Sequence, residues 1–383
     1  MKVQRVTARR VRVPLKAAFR TAELERTESD SVVVEVTLED GASGFGEGVP
    51  RSYVTGETPE TCIEFLRAEA PALVGRGTTS FAETVAIASN LGFGPDPGKP
   101  RCAARAALEL ALLDAAGRHF AVSLSSLASS IPEFASIACR REDVRYGVVL
   151  SLGAGAFKSW LYRLYGFRDA KLKLGTDPAR DLARVAHVRR ALGKHVDLRV
   201  DANGAWTPSV AAAMLPQLGK LGVSFVEQPV ARSDAVAFAP MRPAGSPPVI
   251  LDESLLGERD AQFAVEEKLG DAFNLRVSKN GGMIPLMRLA KFALERRIGI
   301  VLGCHPGETG ILSAAGRAIA CSVRNFLFLE GSYDRHILAG NVIDEDVTFG
   351  PGGHARRLSG PGLGVTVRRD YLDAMTIETF EVA

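Results

Sequence analysis

Residues 171–279 decide the fold, because five successive apolar runs in this stretch each end in a charged residue. The runs are Lys171-Leu172-Lys173, Leu198-Arg199-Val200-Asp201, Val223-Ser224-Phe225-Val226-Glu227, Val249-Ile250-Leu251-Asp252 and Asn274-Leu275-Arg276-Val277-Ser278-Lys279. Counted from Lys173, the terminal residues are 28, 26, 25 and 27 positions apart, which is close to one strand–helix unit each. Short apolar or β-branched runs at this spacing indicate buried parallel strands.

The charged residues at the ends of these runs predict one shared site. In a barrel of parallel strands the C-terminal ends meet at one mouth, where active sites lie. We therefore expect Asp201, Glu227 and Asp252 to share a small volume with Lys173 and Lys279. Burying so many charges without partners is costly, so a divalent cation among the carboxylates is the simplest interpretation. Oxygen ligands of this kind suit Mg²⁺.

The second part of the chain alternates between strand and helix patterns from about residue 145. Amphipathic helices are predicted over Pro178–Leu192 and Ile284–Arg297. The pattern favours a barrel, since an open doubly wound sheet would need a Gly-rich phosphate turn and neither GxGxxG nor a Walker lysine motif occurs. Eight strands are predicted, near residues 146–150, 170–174, 197–201, 223–227, 249–252, 273–277, 299–303 and 326–330.

The first part of the chain has a different pattern, that of an α+β unit. Three antiparallel strands are predicted within residues 1–50, followed by helices over 59–75 and 101–120. Near the C-terminus, Gly364–Arg368 is expected to return to the N-terminal sheet. We therefore predict one domain of residues 1–125, completed by about 350–383, and a barrel domain of residues 140–345.

The composition excludes several classes of protein. The formal net charge is +3 over 383 residues, so we expect no nucleic-acid or membrane partner. The five cysteines are widely spaced and form no CxxC motif, so no disulfide framework is predicted. No apolar run approaches the roughly 18 residues of a membrane span and no signal core is evident, which predicts a cytoplasmic protein. We also expect a homo-oligomer, because barrels of this size often associate.

The lysines suit the chemistry of carbon acids. A lysine must be neutral to act as a base, and a neighbouring cation lowers its pKa. Lys171 points to the same side of its strand as Lys173 and supplies such a neighbour. Lys173 and Lys279 would lie nearly across the barrel mouth. Bases on opposite faces of one carbon have the geometry that a racemase or epimerase needs.

Five motifs, in this order and at this spacing, resemble one known family. They are Lys171-Leu172-Lys173, Asp201-Ala202-Asn203, Glu227-Gln228-Pro229, Asp252-Glu253-Ser254 and Lys279-Asn280-Gly281-Gly282. The chain resembles the enolase superfamily, muconate lactonizing enzyme subgroup (the mandelate racemase/muconate lactonizing enzyme family). Gly46-Glu47 and Val54-Thr55-Gly56-Glu57-Thr58 extend the resemblance into the first domain.

The resemblance implies a fold, a cofactor and a reaction. The fold is α/β, a modified TIM barrel of the (β/α)₇β type with an α+β N-terminal capping domain. The cofactor is Mg²⁺, with Mn²⁺ as an alternative, held by Asp201, Glu227 and Asp252. Lys173 and Lys279 would be the acid/base pair that removes the proton α to the carboxylate of a small-molecule substrate, giving a metal-stabilised enediolate.

Further residues are implied to contact the substrate. The capping loops around Arg20, Thr21 and Tyr53 would close on it, and Glu308 and Glu330 follow the seventh and eighth strands. The chain carries Glu330-Gly331-Ser332 where dipeptide epimerases of this subgroup carry Asp-x-Asp to hold the substrate ammonium, so that specificity does not follow.

We therefore predict an isomerase, with racemisation or epimerisation of an amino-acid derivative as the first hypothesis. Cycloisomerisation of the muconate type, or dehydration of an acid by β-elimination, is the alternative on the same scaffold. Two other classes stay open. One is a Schiff-base aldolase using Lys173 or Lys279, which would leave the three carboxylates unexplained. The other is a binding protein without catalysis on an inherited scaffold.

Overall fold

The computed structural model describes residues 1–20, 25–92, 101–153, 155–175 and 177–382. Within these ranges the chain forms a four-stranded antiparallel sheet, an eight-stranded parallel sheet and a two-stranded pairing. The strands are β1 (Val3–Arg20), β2 (Glu25–Leu38), β3 (Ser43–Gly48), β4 (Asp143–Arg145), β5 (Val148–Leu150), β6 (Asp169–Lys173), β7 (Asp197–Asp201), β8 (Val223–Glu227), β9 (Val249–Leu251), β10 (Ala272–Leu275), β11 (Gly299–Leu302), β12 (Phe326–Leu329), β13 (His354–Arg356) and β14 (Thr376–Glu381). The helices are α1 (Pro59–Glu69), α2 (Phe81–Ser89), α3 (Cys102–His119), α4 (Leu127–Ser130), α5 (Ala156–Leu164), α6 (Pro178–Leu192), α7 (Pro208–Lys220), α8 (Ala235–Phe238), α9 (Glu258–Glu266), α10 (Met283–Glu295), α11 (Gly310–Ser322), α12 (Asp334–Ile337) and α13 (Arg369–Met375).

The parallel sheet runs in chain order from β5 to β12. Its two outer strands meet where the Gly147 amide donates to the Leu329 carbonyl at 2.8 Å, so the sheet curls back on itself. Each predicted strand is present, with its ends within about two residues of the prediction. The predicted fold class, a modified TIM barrel with an α+β N-terminal part, is confirmed.

The antiparallel sheet joins the two ends of the chain in the order β14-β1-β2-β3. The expectation that Gly364–Arg368 returns to this sheet is wrong: β14 pairs with β1 instead, and Val367 makes only a single bridge, to Ile343. Gly364 has a φ of +73°, which belongs to a turn. The later segment, Thr376–Glu381, contains no glycine and includes β-branched and aromatic residues suited to a strand.

Helices α1 and α3 match the two helices predicted in the first part of the chain, whereas α2 was not predicted. Helix α1 ends at Glu69 rather than near residue 75, because Pro71 lies in the next turn and interrupts the α-helical hydrogen bonds. We propose that this region, with the C-terminal strand, is the capping domain of residues 1–125 and about 350–383. No helix within the described ranges is both long enough and apolar enough to cross a membrane.

Helix α3 lies directly on β3 because three alternate residues of that strand are glycines. A Cβ atom added at Gly44, Gly46 or Gly48 would lie 2.0 Å from a backbone atom of α3. The small residues of α3 complete the close approach; its alanines are almost fully buried. Helix α3 and strand β3 are therefore in direct contact, with no room for a methyl group at these three glycines.

We expect the substitution Gly46→Ala to destabilise the protein by about 1–3 kcal/mol or more, because the new methyl group would overlap the Ala107 carbonyl. Denaturant unfolding of both proteins measures this change. The matched control is Gly316→Ala in α11, where nothing lies within 4 Å of the added Cβ. This control substitution should stabilise the protein by roughly 0.5–1 kcal/mol, because alanine has a higher helix propensity than glycine. Equal midpoints for Gly46→Ala and the parent protein would contradict the packing argument.

Candidate active site

Three carboxylates lie side by side at the C-terminal ends of adjacent barrel strands. Asp201 ends β7, Glu227 ends β8 and Asp252 follows β9, and all three are fully buried. Asp201 and Glu227 are direct partners in the parallel register. We call these three residues the carboxylate row. Strand register therefore brings together residues that are about 25 positions apart in sequence.

A lysine lies at each end of the carboxylate row. The Lys173 ammonium donates to Asp201 Oδ2 at 2.6 Å and to Asn203 Oδ1 at 2.9 Å. The Lys279 ammonium donates to Asp252 Oδ1 at 2.8 Å and to the carbonyls of Asp252 and Asn274 at 2.8 and 2.7 Å. Burial lowers the pKa of Lys279 well below its ordinary value, and the neighbouring Arg276 lowers it further.

Lys171 contacts the carboxylate row from inside the barrel. Its ammonium lies 3.1 Å from Glu227, 3.4 Å from Asp201 and 2.7 Å from Glu330. Burial disfavours its charge, but Glu227 and Glu330 outweigh burial and raise the pKa of Lys171. Lys171 is therefore held as a cation between two walls of the barrel, and it shares Asp201 with Lys173.

Glu330 is predicted to contact substrate, whereas in the structure both of its oxygens are in ion pairs. Oε2 accepts from Lys171 at 2.7 Å and Oε1 from Arg199 at 2.8 Å. Arg199 in turn pairs with Asp169 at 3.0 Å. Burial raises the pKa of Glu330, but Lys171 and Arg199 outweigh burial and lower it to about 2. These contacts suit a residue that holds Lys171 in place.

Arg276 is a site residue that is not among those predicted from the sequence. Its guanidinium donates to Asp252 Oδ2 and lies 4.0 Å from Glu227 Oε1. Within the described ranges, no three His, Cys, Asp or Glu side chains are placed to share a metal ion. The donor chemistry of the carboxylate row, three buried carboxylates on neighbouring strands, nevertheless fits a hard divalent cation. In this arrangement Arg276 supplies positive charge to two of the three carboxylates.

Arg199 has a sequence signal that could have revealed it. Arg199 precedes Asp201 by two positions on β7, just as Lys171 precedes Lys173 on β6. Residues two apart on a strand point to the same face, so a charged residue two before a strand-end carboxylate points into the barrel. Arg276 lacks this signal, because it lies just beyond the end of β10 and the residue two positions later is Ser278. The buried Asn274 of β10 also belongs to the site, since its Nδ2 donates to Glu227 at 2.9 Å.

Glu308, which is predicted to contact substrate, forms a hydrogen bond within its own loop. Its Oε1 accepts from the His305 amide at 2.6 Å, and among the described residues no hydrogen bond joins it to Lys279. His305 is 2% exposed, and neither of its ring nitrogens has a hydrogen-bond partner in the described part of the chain. Burial raises the pKa of Glu308 to about 8, and the nearby Glu47 contributes to the increase.

The raised pKa of Glu308 predicts a pH-dependent stability. The folded protein keeps this proton up to about pH 8, whereas the unfolded chain releases it near the ordinary value of 4.5. The contribution of Glu308 to the free energy of unfolding should therefore fall as pH rises between these values. The variant Glu308→Gln should gain stability relative to the parent protein between pH 5 and pH 9, by a few kcal/mol at most (~1.4 per pKa unit). Denaturant unfolding at both pH values tests this; parallel pH profiles would contradict it.

The predicted loop contacts are only partly described. Thr21 lies outside the described residues, and so does the side chain of Arg20, whose backbone ends β1. Tyr53 is 49% exposed, and the Arg26 guanidinium lies 5.4 Å from the centre of its ring. A substrate contact by Tyr53 therefore stays a prediction.

Two family models match the chain. Residues 1–128 match the mandelate racemase / muconate lactonizing enzyme N-terminal domain, and residues 157–371 match the enolase C-terminal domain-like family. The two matches together include every residue of the carboxylate row and all three lysines.

Curated relatives and solved structures agree with these matches. The N-succinyl-L-Arg/Lys racemase of Bacillus cereus is 27% identical over 98% of both chains, and its crystal structure superposes with a TM-score of 0.87 over 99% of both chains at 25% identity. The hydrophobic dipeptide epimerase of Enterococcus faecalis is 28% identical over 85% of this chain and 88% of its own. Its structure with Mg and the dipeptide L-Leu-L-Tyr has a TM-score of 0.82 at 25% identity, covering 96% of this chain and all of that one.

The muconate lactonizing enzyme of Pseudomonas putida is also similar, with a TM-score of 0.82 and 25% identity over 98% of this chain and 100% of that chain. These relatives are all isomerases by name, so the prediction of an isomerase scaffold is confirmed at the level of the family. Both halves of the chain match one family, and the fold agrees along its whole length. The chain belongs to the mandelate racemase/muconate lactonizing enzyme family of the enolase superfamily.

Proposed function

We propose that this protein is an isomerase that removes and returns the proton α to the carboxylate of an amino-acid derivative, as a racemase or epimerase. One observation carries the proposal: Lys173 and Lys279 lie at the two ends of the carboxylate row, in contact with Asp201 and Asp252 respectively. A carbon held against the row would have an amine on either side. One lysine would take the proton from one face, and the other would deliver a proton to the opposite face.

The two lysines differ in their surroundings, which bears on how each would act. The side chain of Lys173 is 22% exposed, whereas that of Lys279 is fully buried. Lys173 is held by two side-chain oxygens, and Lys279 by two backbone carbonyls as well as Asp252. We infer that Lys279 is the more rigid base and that Lys173 exchanges its proton with solvent more readily.

We propose that Asp201, Glu227 and Asp252 hold Mg²⁺, with Mn²⁺ as an alternative. When bound, the ion supplies positive charge that stabilises the negative charge developing on the substrate carboxylate. The guanidinium of Arg276 lies against Asp252 Oδ2 and would compete with an ion for that oxygen. The solved dipeptide epimerase of Enterococcus faecalis, which is complexed with Mg, supports this proposal.

The end of the eighth strand favours an N-acylated amino acid over a dipeptide with a free amine. Both oxygens of Glu330 are in ion pairs, with Lys171 and Arg199. The Ser332 hydroxyl accepts from Arg317 at 3.0 Å. Glu330 therefore has no oxygen free of an ion pair to receive a substrate ammonium. The similarity to a racemase of N-succinyl amino acids supports the same class.

Proton exchange tests the proposed function. The protein is incubated with Mg²⁺ in D₂O against separate pools of N-acyl amino acids, dipeptides and hydroxy acids, and the acids are analysed by mass spectrometry and chiral chromatography. We expect deuterium at Cα of N-acyl amino acids together with the opposite enantiomer. Exchange without inversion would favour the cycloisomerase or dehydratase alternative. Binding of Mg²⁺ with no exchange in any pool would contradict the proposal.

A further inference from the structure

The loop that carries Lys279 connects β10 to α10, and its contacts extend well beyond the barrel. Within the loop, the Asn280 side chain accepts from the Arg276 amide at 2.8 Å, and the Gly282 amide donates to the Val277 carbonyl at 2.9 Å. These bonds shape the loop but do not attach it to anything else. Within the barrel, the Asn280 side-chain amide donates to the Leu256 carbonyl at 3.0 Å. Further attachments come from residues more than 150 positions earlier in the chain.

Glu109 of α3 caps the helix that follows this loop. Its carboxylate accepts from the Met283 amide at 2.5 Å and from the Ile284 amide at 3.2 Å. These are among the first amides of α10, which has no side-chain cap of its own because Gly282 occupies that position. Gly282 has a φ of +121°, and a Cβ there would lie 2.0 Å from the Glu109 carboxylate. Only glycine allows this approach.

Two further bonds attach the same loop to the first part of the chain. The guanidinium of Arg105, one turn before Glu109 on α3, donates to the Gly281 carbonyl. The Val49 amide, directly after β3, donates to the Ser278 hydroxyl at 2.8 Å. Ser278 is the residue before Lys279, and Gly281 lies two residues after it. The loop is therefore held on both sides of the lysine.

We propose that Glu109, together with Arg105 and Ser278, is a positioning residue for Lys279, so that the N-terminal α3–β3 unit sets the geometry of one of the two bases. This proposal rests on the proposed function. It adds that the α3–β3 unit controls proton transfer at one face of the substrate Cα. Among the described residues, no comparable bond joins α3 or β3 to the residues that flank Lys173, whose own bonds go to Asp201 and Asn203. Loss of Glu109 should therefore impair one proton transfer and spare the other.

Glu47 provides a matched control. It is a fully buried carboxylate of β3. It accepts from the amides of Thr309 and Leu312 and, at 2.7 Å, from the Thr309 hydroxyl, and in this way it caps the N-terminus of α11. Glu47 and Glu109 thus have the same structural role, since each caps the N-terminus of a barrel helix from the first part of the chain. Only Glu109 is attached to a loop that carries a lysine of the proposed pair.

The experiment measures Cα deuterium exchange separately from each enantiomer of one N-acyl amino acid. The enantiomer that depends on Lys279 is identified as the one whose exchange is lost in Lys279→Ala. In Glu109→Gln we expect exchange from that enantiomer to fall about 10–100-fold relative to exchange from the other, as is typical when a supporting contact of a functional group is lost. Glu47→Gln should leave the ratio of the two rates unchanged. Equal losses from both enantiomers in Glu109→Gln would overturn the proposal, because a purely structural defect lowers both.

A second measurement needs no substrate. Hydrogen–deuterium exchange followed by mass spectrometry should show lost protection over residues 276–284 in Glu109→Gln and over 309–312 in Glu47→Gln. Unchanged protection of residues 276–284 in Glu109→Gln would overturn the proposal, whether or not the proposed reaction is correct. If Glu109→Gln does not fold, Ser278→Ala removes one hydroxyl from the same loop and should shift the enantiomer ratio in the same direction. An unshifted ratio in that variant would count against it.

Discussion

Replacing Lys279 with alanine is expected to lower Cα proton exchange from one enantiomer of the substrate by about 10²–10⁴-fold, the usual contribution of a general base. Lys173→Ala should have the same effect on the other enantiomer, because the two ammonium groups contact opposite ends of the carboxylate row. Racemisation needs both transfers and should be lost in either variant. Mass spectrometry of each enantiomer in D₂O measures the two rates independently.

The control for these variants is Lys291→Ala. Lys291 is a partly exposed lysine of α10 whose ammonium lies 3.9 Å from Glu295 on the same helix, away from the carboxylate row. Its removal should leave both exchange rates unchanged. If Lys279→Ala and Lys173→Ala slowed exchange from the same enantiomer, one lysine would act only by stabilising charge, and the two-base interpretation would be wrong. Trapping of either lysine by borohydride in the presence of substrate would favour the Schiff-base alternative.

The second large effect concerns the metal. Glu227→Gln should weaken Mg²⁺ binding by about 100-fold or more, since loss of a mere supporting contact already costs 10–100-fold in metal affinity. Glu227 is the central carboxylate of the row and is bonded to Lys171 and Asn274. Isothermal titration calorimetry with Mg²⁺, or spin resonance with Mn²⁺, measures the affinity. Proton exchange should be lost at Mg²⁺ concentrations that saturate the parent protein.

Glu47→Gln is the matched control for the metal experiment. Glu47 is as fully buried as Glu227 but bonds to Thr309 and Leu312 outside the carboxylate row. Its replacement should leave Mg²⁺ affinity within about twofold, a difference of roughly 0.4 kcal/mol. Equal weakening in both variants would mean that the affinity reports general loosening of the fold. An unchanged affinity in Glu227→Gln would remove Glu227 from the proposed ligand set.

Much of the barrel could be predicted because the signals are local. Short apolar runs about 25 residues apart identify parallel strands, and a charged residue at the end of each run marks the mouth. Asp201 and Glu227 are examples, since both end the strands on which they were predicted. The prediction placed the last strand of the N-terminal sheet about ten residues too early. Its partner β1 lies at the other end of the chain, so the neighbouring sequence carries no signal of this pairing.

Local signals were enough to predict which residues reach the mouth of the barrel. The spacing of the strands and the alternation of side chains place Lys173, Asp201, Glu227, Asp252 and Lys279 there. Which charged groups form ion pairs with one another depends instead on how the chain folds in three dimensions. Glu330 pairs with Lys171 and Arg199, and Glu109 of α3 caps α10. Such pairings depend on the closure of the barrel and on the packing of α3 against it. They join groups that lie more than 100 residues apart, so they leave no local pattern in the sequence.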